Sequence, residues 1–330
     1  MLNQTKQQKK MCETCQIIVN ARQSGSYDPT RTTTLRNLFS RQMRVRFDRL
    51  KRQIYDAVVT KDGFGMQEHI TVFQITPRQF NFPTSKKKIE EFMKWLETQI
   101  NKELLTTMYM PQLGRALAEE WTNMYILDSY KRGVIRARTE MRNAGYDVPT
   151  IEQSGGIDVI MQTPIHLDRV GILYARVFED LKGITKAMSS QISRVLAQGM
   201  IDGDNPRVIA RKLLKVITGE GKDLAITDSL GRFIPAKRRA EMLARTEIIR
   251  AHHKGAIQEM RNWGIEGVHV LAEFRTAGDE RVCEQCGSMQ GNTYTLDEAE
   301  NLIPIHPMCR CCVIPVESEV TKIMADRTAN

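Results

Sequence analysis

Five of the seven cysteines fall within thirty residues near the carboxyl end: Cys283, Cys286, Cys309, Cys311 and Cys312. With His306 they spell Cys283-x2-Cys286, nineteen intervening residues, then His306-x2-Cys309-Arg310-Cys311-Cys312. A Cys-x2-Cys on a tight turn aims two thiolates at one point, and a second pair from a distant loop completes a tetrahedron around a borderline-soft ion. Thiolates also bind iron, but a histidine ligand and the short knuckle spacing favour zinc. Six donors compete for four places. The expected set is Cys283, Cys286, His306 and Cys309, with Cys311 as the substitute for His306. If 309–312 is extended, Cys309 and Cys311 share a face and Cys312 points away, as a core thiol. Pro304 and Pro307 bracket His306 and restrict its loop before any ion binds.

Such an ion is expected to be structural. There is no His-Glu-x-x-His, and no His-x-Glu precedes a Pro-Cys-x-x-Cys. Four protein ligands leave no open position for water. A closed knot also suits a β-rich end too small to rely on a core of its own. The remaining candidates read more plainly. Cys12-x2-Cys15 lacks a second pair and is read as free thiols. His69, His166 and His269 are isolated, hence core or surface histidines, and His252-His253 would diverge on a helix. Gly219-Glu-Gly221-Lys222 lacks the remaining residues of a phosphate loop and is read as a turn.

The elements that must position these residues follow from apolar spacing. Leu35, Phe39, Met43, Phe47, Leu50, Ile54 and Val58 recur every three or four residues, which predicts a helix from about Thr32. Arg41, Arg44, Arg49 and Arg52 fall off that stripe and are the candidate nucleic-acid contacts. A short strand is expected at Val72–Thr76. A helix follows Phe82-Pro83-Thr84-Ser85, with Ile89, Phe92, Met93, Leu96 and Ile100 on its buried face. Gly114 to Ala144 reads as a third long helix ending at Gly145, and 143–163 as a loop. Then come helices from about Val170 to Gly199 and from Pro206 to about Ile217, a loop or hairpin at 219–234, and a helix from Ala236 to Gly264. That last helix has a narrow, mostly small-residue stripe of Ala236, Ala240, Leu243, Ala244, Ile248, Ala251 and Gly255, suited to close approach by a neighbour. Trp95, Trp121 and Trp263 read as core anchors. Beyond Gly264 the period shortens, predicting a small sheet from 268–274, 293–296 and 313–316. The fold class is therefore α+β, with a mainly helical first half and further helices leading into a small zinc-stabilised β-rich module.

The chain has 330 residues, enough for about two domains. The division expected is a mobile basic arm at 1–30, a helical domain at 31–150, a linker at 151–165, a domain at 166–317 holding the Cys/His cluster, and a tail at 318–330. The 48 basic and 39 acidic side chains give +9. Met1 to Arg52 alone holds twelve basic and three acidic residues, again +9, so this stretch is expected to attract a phosphate backbone or an acidic protein surface. No apolar run approaches the roughly 18 to 20 residues of a spanning helix. Met1 to Lys10 does not read as a signal peptide. Synthesis in the cytoplasm and no membrane partner are expected.

One ordered set of motifs is distinctive: Ala244-Arg-Thr-Glu247, His253-x-Gly255, Trp263-Gly264, Arg275-Thr-Ala-Gly-Asp279-Glu-Arg-Val-Cys283-x2-Cys286, Gly291, then His306-Pro-x-Cys309-Arg-Cys311. It resembles the phage Mu protein F-like family of minor head, or head morphogenesis, proteins of tailed bacteriophages, over roughly 166–317. The resemblance implies a non-enzymatic structural protein made in the host cytoplasm and housed in the virion, in the capsid interior near the portal. The partners it implies are the portal protein, a scaffolding or major capsid protein, and non-specific double-stranded DNA. Residues 1–165 carry no motif of the family. The competing expectation is a metal-dependent nuclease acting on phage or host DNA, resting on His306 with Asp279, Glu280 and Glu284, and it requires an open coordination position and a free base.

Overall fold

A computed structural model describes residues 28–66, 78–110, 117–218, 234–263 and 270–317. Most of the arm, the Val72–Thr76 strand, the 219–233 segment, the tail, Cys12, Cys15, His69 and His269 lie outside them. The elements in chain order are α1 (Thr33–Tyr55), a π-helical turn (Asp56–Thr60), α2 (Ser85–Glu103), β1 (Thr107–Met110), β2 (Leu117–Glu120), α3 (Asn123–Asn143), α4 (Ile157–Met161), α5 (Pro164–Ile201), α6 (Pro206–Thr218), α7 (Ala236–Trp263), β3 (Val270–Arg275), α8 (Glu284–Gly287), β4 (Thr293–Tyr294), α9 (Leu296–Ala299) and β5 (Cys312–Glu317). The class is α+β, as expected.

The helices follow their stripes. Phe39, Met43, Phe47, Leu50 and Ile54 of α1 are fully buried. Thr84 caps α2, its side chain accepting from the Lys87 N–H at 3.3 Å. Asn205 caps α6 in the same way through Val208 at 3.0 Å, with Pro206 at the first helical position. Gly145, at φ +92°, closes α3.

Two expectations are corrected. Gly114–Ala144 is not one helix: β2 pairs antiparallel with β1, Thr107 facing Glu120, before α3 begins. The 143–163 stretch is not all loop, since α4 lies within it. The helix expected from about Thr32 begins at Thr33, and a turn precedes it. The Asp28 carboxylate takes the Thr30 and Thr33 N–H groups at 3.1 and 2.6 Å, and Pro29 and Thr30 are buried.

The chain divides into two compact units, each assembled from separated stretches. The first gathers 1–36, 125–173 and 246–330, so that 151–165 lies inside it; the second gathers 37–124 and 174–245. The first unit contains the sheet, in the order β4-β3-β5 and antiparallel throughout. Its core joins Ala137 and Met141 of α3, Ile257 and Met260 of α7, and Ala272 and Phe274 of β3. In it α3 and α7 meet backbone to backbone. A Cβ on Gly133 would stand 2.0 Å from the His252 carbonyl oxygen, and one on Gly255 2.4 Å from that of Tyr130. The small-residue stripe of α7 makes the close approach its composition predicts.

The second unit is built on α1, α2 and α6, with the β1–β2 hairpin. Its aromatic core stacks Phe64, Phe80, Phe92 and Trp95 at centroid distances of 5.3 to 5.6 Å. Trp121 is buried, its indole N–H donating to the Leu104 carbonyl at 2.9 Å, with the Arg46 guanidinium 4.1 Å from its ring. Among the described residues no helix is long and apolar enough to cross a membrane.

Candidate metal centre

The knuckle is made by α8. Cys283 is its N-cap, and the Cys283 sulfur accepts the Cys286 N–H at 3.4 Å, which folds the Cys-x2-Cys into one turn. The second donor loop reverses between His306 and Cys309, where the Cys309 N–H returns to the His306 carbonyl at 3.2 Å. Pro307 and Met308 are the central residues. Proline suits the first of these positions, and the second takes the left-handed conformation that turns of this kind require. Met308 has φ +66°, costly for a residue with a Cβ, and its N–H is held by the Thr246 hydroxyl of α7 at 3.0 Å. Strand β5 then begins at Cys312 and pairs with Arg275 of β3.

This scaffold brings five donors together in two triads that share Cys286. One is Cys283, Cys286 and His306; the other is Cys286, Cys309 and Cys311, with all donor atoms in each within 4.8 Å of one another. The His306 Nε2 lies 3.3 Å from the Cys283 sulfur and 3.1 Å from that of Cys286. A tetrahedral zinc with ordinary bond lengths separates neighbouring N and S by about 3.6 Å, so the observed spacing is a few tenths shorter. His306 Nδ1 lies 2.9 Å from the Pro307 carbonyl. That carbonyl can only accept, so Nδ1 carries the proton and the Nε2 lone pair faces the sulfurs, as a ligating imidazole requires. Cys286, Cys309 and Cys311 are buried, His306 is half-buried and Cys283 is exposed. Cys312 is buried and joins neither triad.

The thiols do not share one charge state. The hydrogen bond from Cys311 holds Cys309 down at about 5 and pushes Cys311 far up. Burial, then the neighbouring Cys309, pushes Cys286 up to about 12. The Cys286 N–H lowers Cys283. His306 is opposed by burial but raised by the Pro307 carbonyl and by Cys309 and Cys283. Adjacent thiolates repel, and a divalent cation among them removes the conflict by favouring every deprotonated sulfur. The residue types therefore fit zinc, and Cys286 is the donor common to both triads.

The surrounding motif residues tie this cluster down. Both Asp279 oxygens receive Arg310, each at 2.6 Å, and Arg281 adds a contact at 2.9 Å. The Arg310 hydrogen bonds hold the Asp279 carboxyl well below the usual carboxylate range. His253 Nε2 reaches the Ala299 carbonyl at 2.7 Å. Glu300 receives Arg261 at 2.5 Å, Lys254 at 3.4 Å and also Arg169. Behind them, buried Glu259 takes Arg138 and the Trp263 indole, both at 2.7 Å, while His166 contacts Tyr130 at 2.9 Å. His166 is thus a bonded core histidine. Spacing rules do not single out Thr246, Asp279 or Arg310 as positioning groups; their only signal in the sequence is their fixed order beside the cysteines.

Among the described residues no carboxylate belongs to either donor group. Asp279 is fully engaged by arginine, and Glu280 and Glu284 are exposed. The arginines expected to contact nucleic acid are all exposed on α1. Arg49 lies 3.9 Å from Glu103 and Arg52 reaches the Asp48 carbonyl at 3.3 Å, while Arg41 and Arg44 have no ion-pair partner among the described residues.

Residues 190–314, 125 of the 330, match the family model described as Phage Mu protein F like protein. The resemblance carried by the ordered motifs is supported over that segment, which contains all five donors. No curated protein and no solved structure matches the chain.

Proposed function

From a Mu F-like segment that encloses a Cys/His cluster, we propose that this protein is a minor head, or head morphogenesis, protein of a tailed bacteriophage. It acts in the virion, in the capsid interior near the portal, with the portal protein and a scaffolding or major capsid protein as partners. The cluster holds a structural zinc ion through Cys283, Cys286, His306 and Cys309, with Cys311 as the alternative to His306. Bound there, zinc supplies cross-linking rather than chemistry: it joins α8 to the 306–311 loop. The chain's own residues do the rest. Thr246 fixes the turn at Met308, Arg310 and Asp279 hold the two donor loops together, and the Pro307 carbonyl sets the tautomer of His306.

The observation that carries this reading is the pair of Cys/His triads that share Cys286, with no carboxylate in either. A nuclease would need a base and an open ligand position, and Asp279, one of the three carboxylates such a site would draw on, is occupied by Arg310. Metal analysis combined with native mass spectrometry, alone and with portal protein, tests the proposal. One zinc per chain and a portal complex are expected. Metal-free folded protein, or DNA cleavage on adding divalent ions that is lost in Cys283→Ser, overturns it.

The second part of the proposal is non-specific contact with packaged duplex DNA through Arg41, Arg44, Arg49 and Arg52. Its support is their exposure on one helix and the absence of ion pairs at Arg41 and Arg44 among the described residues. Replacing all four by glutamine is expected to weaken duplex binding and flatten its salt dependence.

A further inference from the structure

The α6 helix, PRVIARKLLKVIT, contains four basic residues and no acidic one. Ile209, Leu213, Val216 and Ile217 are buried on one side. Arg207, Arg211 and Lys215 are exposed on another, four residues apart, so their Cα atoms rise about 6 Å per step along a single stripe. The fourth cation shows the contrast. Lys212 is already paired, 2.5 Å from Asp204 and 3.7 Å from Asp202. Arg207, Arg211 and Lys215 have no ion-pair partner among the described residues. Arg207 also stands in the first turn, where the helix dipole disfavours a cation, and no carboxylate in that turn offsets it. The unit to which α6 belongs has 28 basic against 18 acidic residues in its sequence, a net +10. A row of unpaired cations on a surface with that excess has an anionic polymer as its complement.

We propose that Arg207, Arg211 and Lys215 form a second nucleic-acid contact, separate from the α1 arginines, that binds the phosphate backbone of duplex DNA without reading sequence. It deepens the proposed DNA contact and rests on the reading that the protein meets packaged DNA. It also places a contact inside the Mu F-like segment, which the α1 arginines do not. Duplex DNA presents one charge per about 1.7 Å of axis, so a stripe about 12 Å long faces about seven phosphates, more than three cations can saturate.

The test uses the full-length chain and a random-sequence 30-base-pair duplex, read by fluorescence anisotropy between 50 and 200 mM salt. The variants are Arg207→Gln/Arg211→Gln/Lys215→Gln and, in parallel, Arg41→Gln/Arg44→Gln/Arg49→Gln/Arg52→Gln, with circular dichroism confirming that both fold. Each lost phosphate contact removes about 0.9 from the slope of log affinity against log salt. The α6 triple variant should lose between about 2 and 3 from that slope and bind about tenfold more weakly at 50 mM. An unchanged slope in the α6 variant overturns the inference and, if the α1 variant loses its own share, leaves the α1 reading standing. A loss in the α6 variant alone upholds the inference and removes the α1 reading. No duplex binding by the parent chain removes both. Binding of poly-glutamate with equal affinity and slope assigns the stripe to an acidic protein partner and overturns the inference.

Discussion

The two units treat charge in opposite ways. The unit with the cysteine cluster has 20 basic and 21 acidic residues, and the other has 28 and 18. In the first, charges are matched within the fold, Arg138 with Glu259 fully buried and Arg310 with Asp279, Arg36 with Asp28, and three cations on Glu300 at least partly so. In the second, Arg41, Arg44, Arg207, Arg211 and Lys215 stand exposed without described ion-pair partners. Matched, buried charge specifies one arrangement of one chain, because removing either partner strands the other. Surplus, exposed charge adds little to folding and is available to something outside. On the proposed reading, the first unit carries the architecture and the second offers the contacts to DNA.

The sharpest way to break that contrast is to strip the zinc proposed for the cluster. Strong chelation, or Cys286→Ser, is expected to abolish hydrogen-exchange protection in β3 and β5, since structural zinc sites are worth on the order of 10 kcal/mol. Protection in α1 and α6 should persist. Retained protection at 270–317 after complete metal removal would sink the idea of a metal-dependent knot.

Next in size are packing and buried-charge changes confined to the cysteine unit. Gly255→Ala places a methyl 2.4 Å from a carbonyl oxygen, and a cost of about 3 kcal/mol or more is expected from denaturant midpoints. Glu259→Gln leaves Arg138 buried without its counter-charge and should cost about 3 to 5 kcal/mol. A loss below about 1 kcal/mol in either would mean the interior is looser than its contacts suggest.

Acid should separate the units more gradually. Burial holds His252 down at about 3 and His253 at about 4. Unfolded, each takes up a proton below about 6.5. Their contribution is therefore complete above pH 6.5 and declines as pH falls toward 4 and 3, by up to about 1.4 kcal/mol per pH unit for each histidine. Asp28 and Glu300 are both at about 2. For Asp28 burial is outweighed by Arg36 and the threonine hydrogen bonds; for Glu300 it is outweighed by Arg169, Arg261 and Lys254. Their share is present above about 4 and disappears as pH falls to 2. All four groups belong to the cysteine unit. Urea midpoints followed by exchange at pH 7, 5 and 4 should show that unit losing stability first, and parallel losses in both would erase the contrast. The smallest effect expected is on folding of the α6 triple variant. Its stability should stay within about 0.5 kcal/mol of the parent, because it removes surplus charge only.

Much of this was legible in the chain, and the pattern of failure is physical. The α1 and α5 stripes and the caps at Thr84 and Asn205 are local signals, and local signals survived. The five donors were visible because their spacing is itself a constraint on geometry. The β1–β2 hairpin was not, since Leu117–Glu120 is rich in helix formers and becomes a strand only by pairing with Thr107–Met110. The ties from Thr246 to Met308 and from Arg138 to Glu259 span 62 and 121 residues, beyond the reach of any periodicity. The interleaving of the two units was hidden for the same reason.

The crossing at Gly133 and Gly255 has a consequence for assembly of the cluster. With no side chain between the two rods, neither can roll or slide without one backbone striking the other, so the pair acts as a fixed gauge. His253, next to the carbonyl that Gly133 accommodates, is set at one height and presents its ring to Ala299 there. A mutation at either glycine would then be felt beyond the crossing itself, first at the contact of His253 with Ala299.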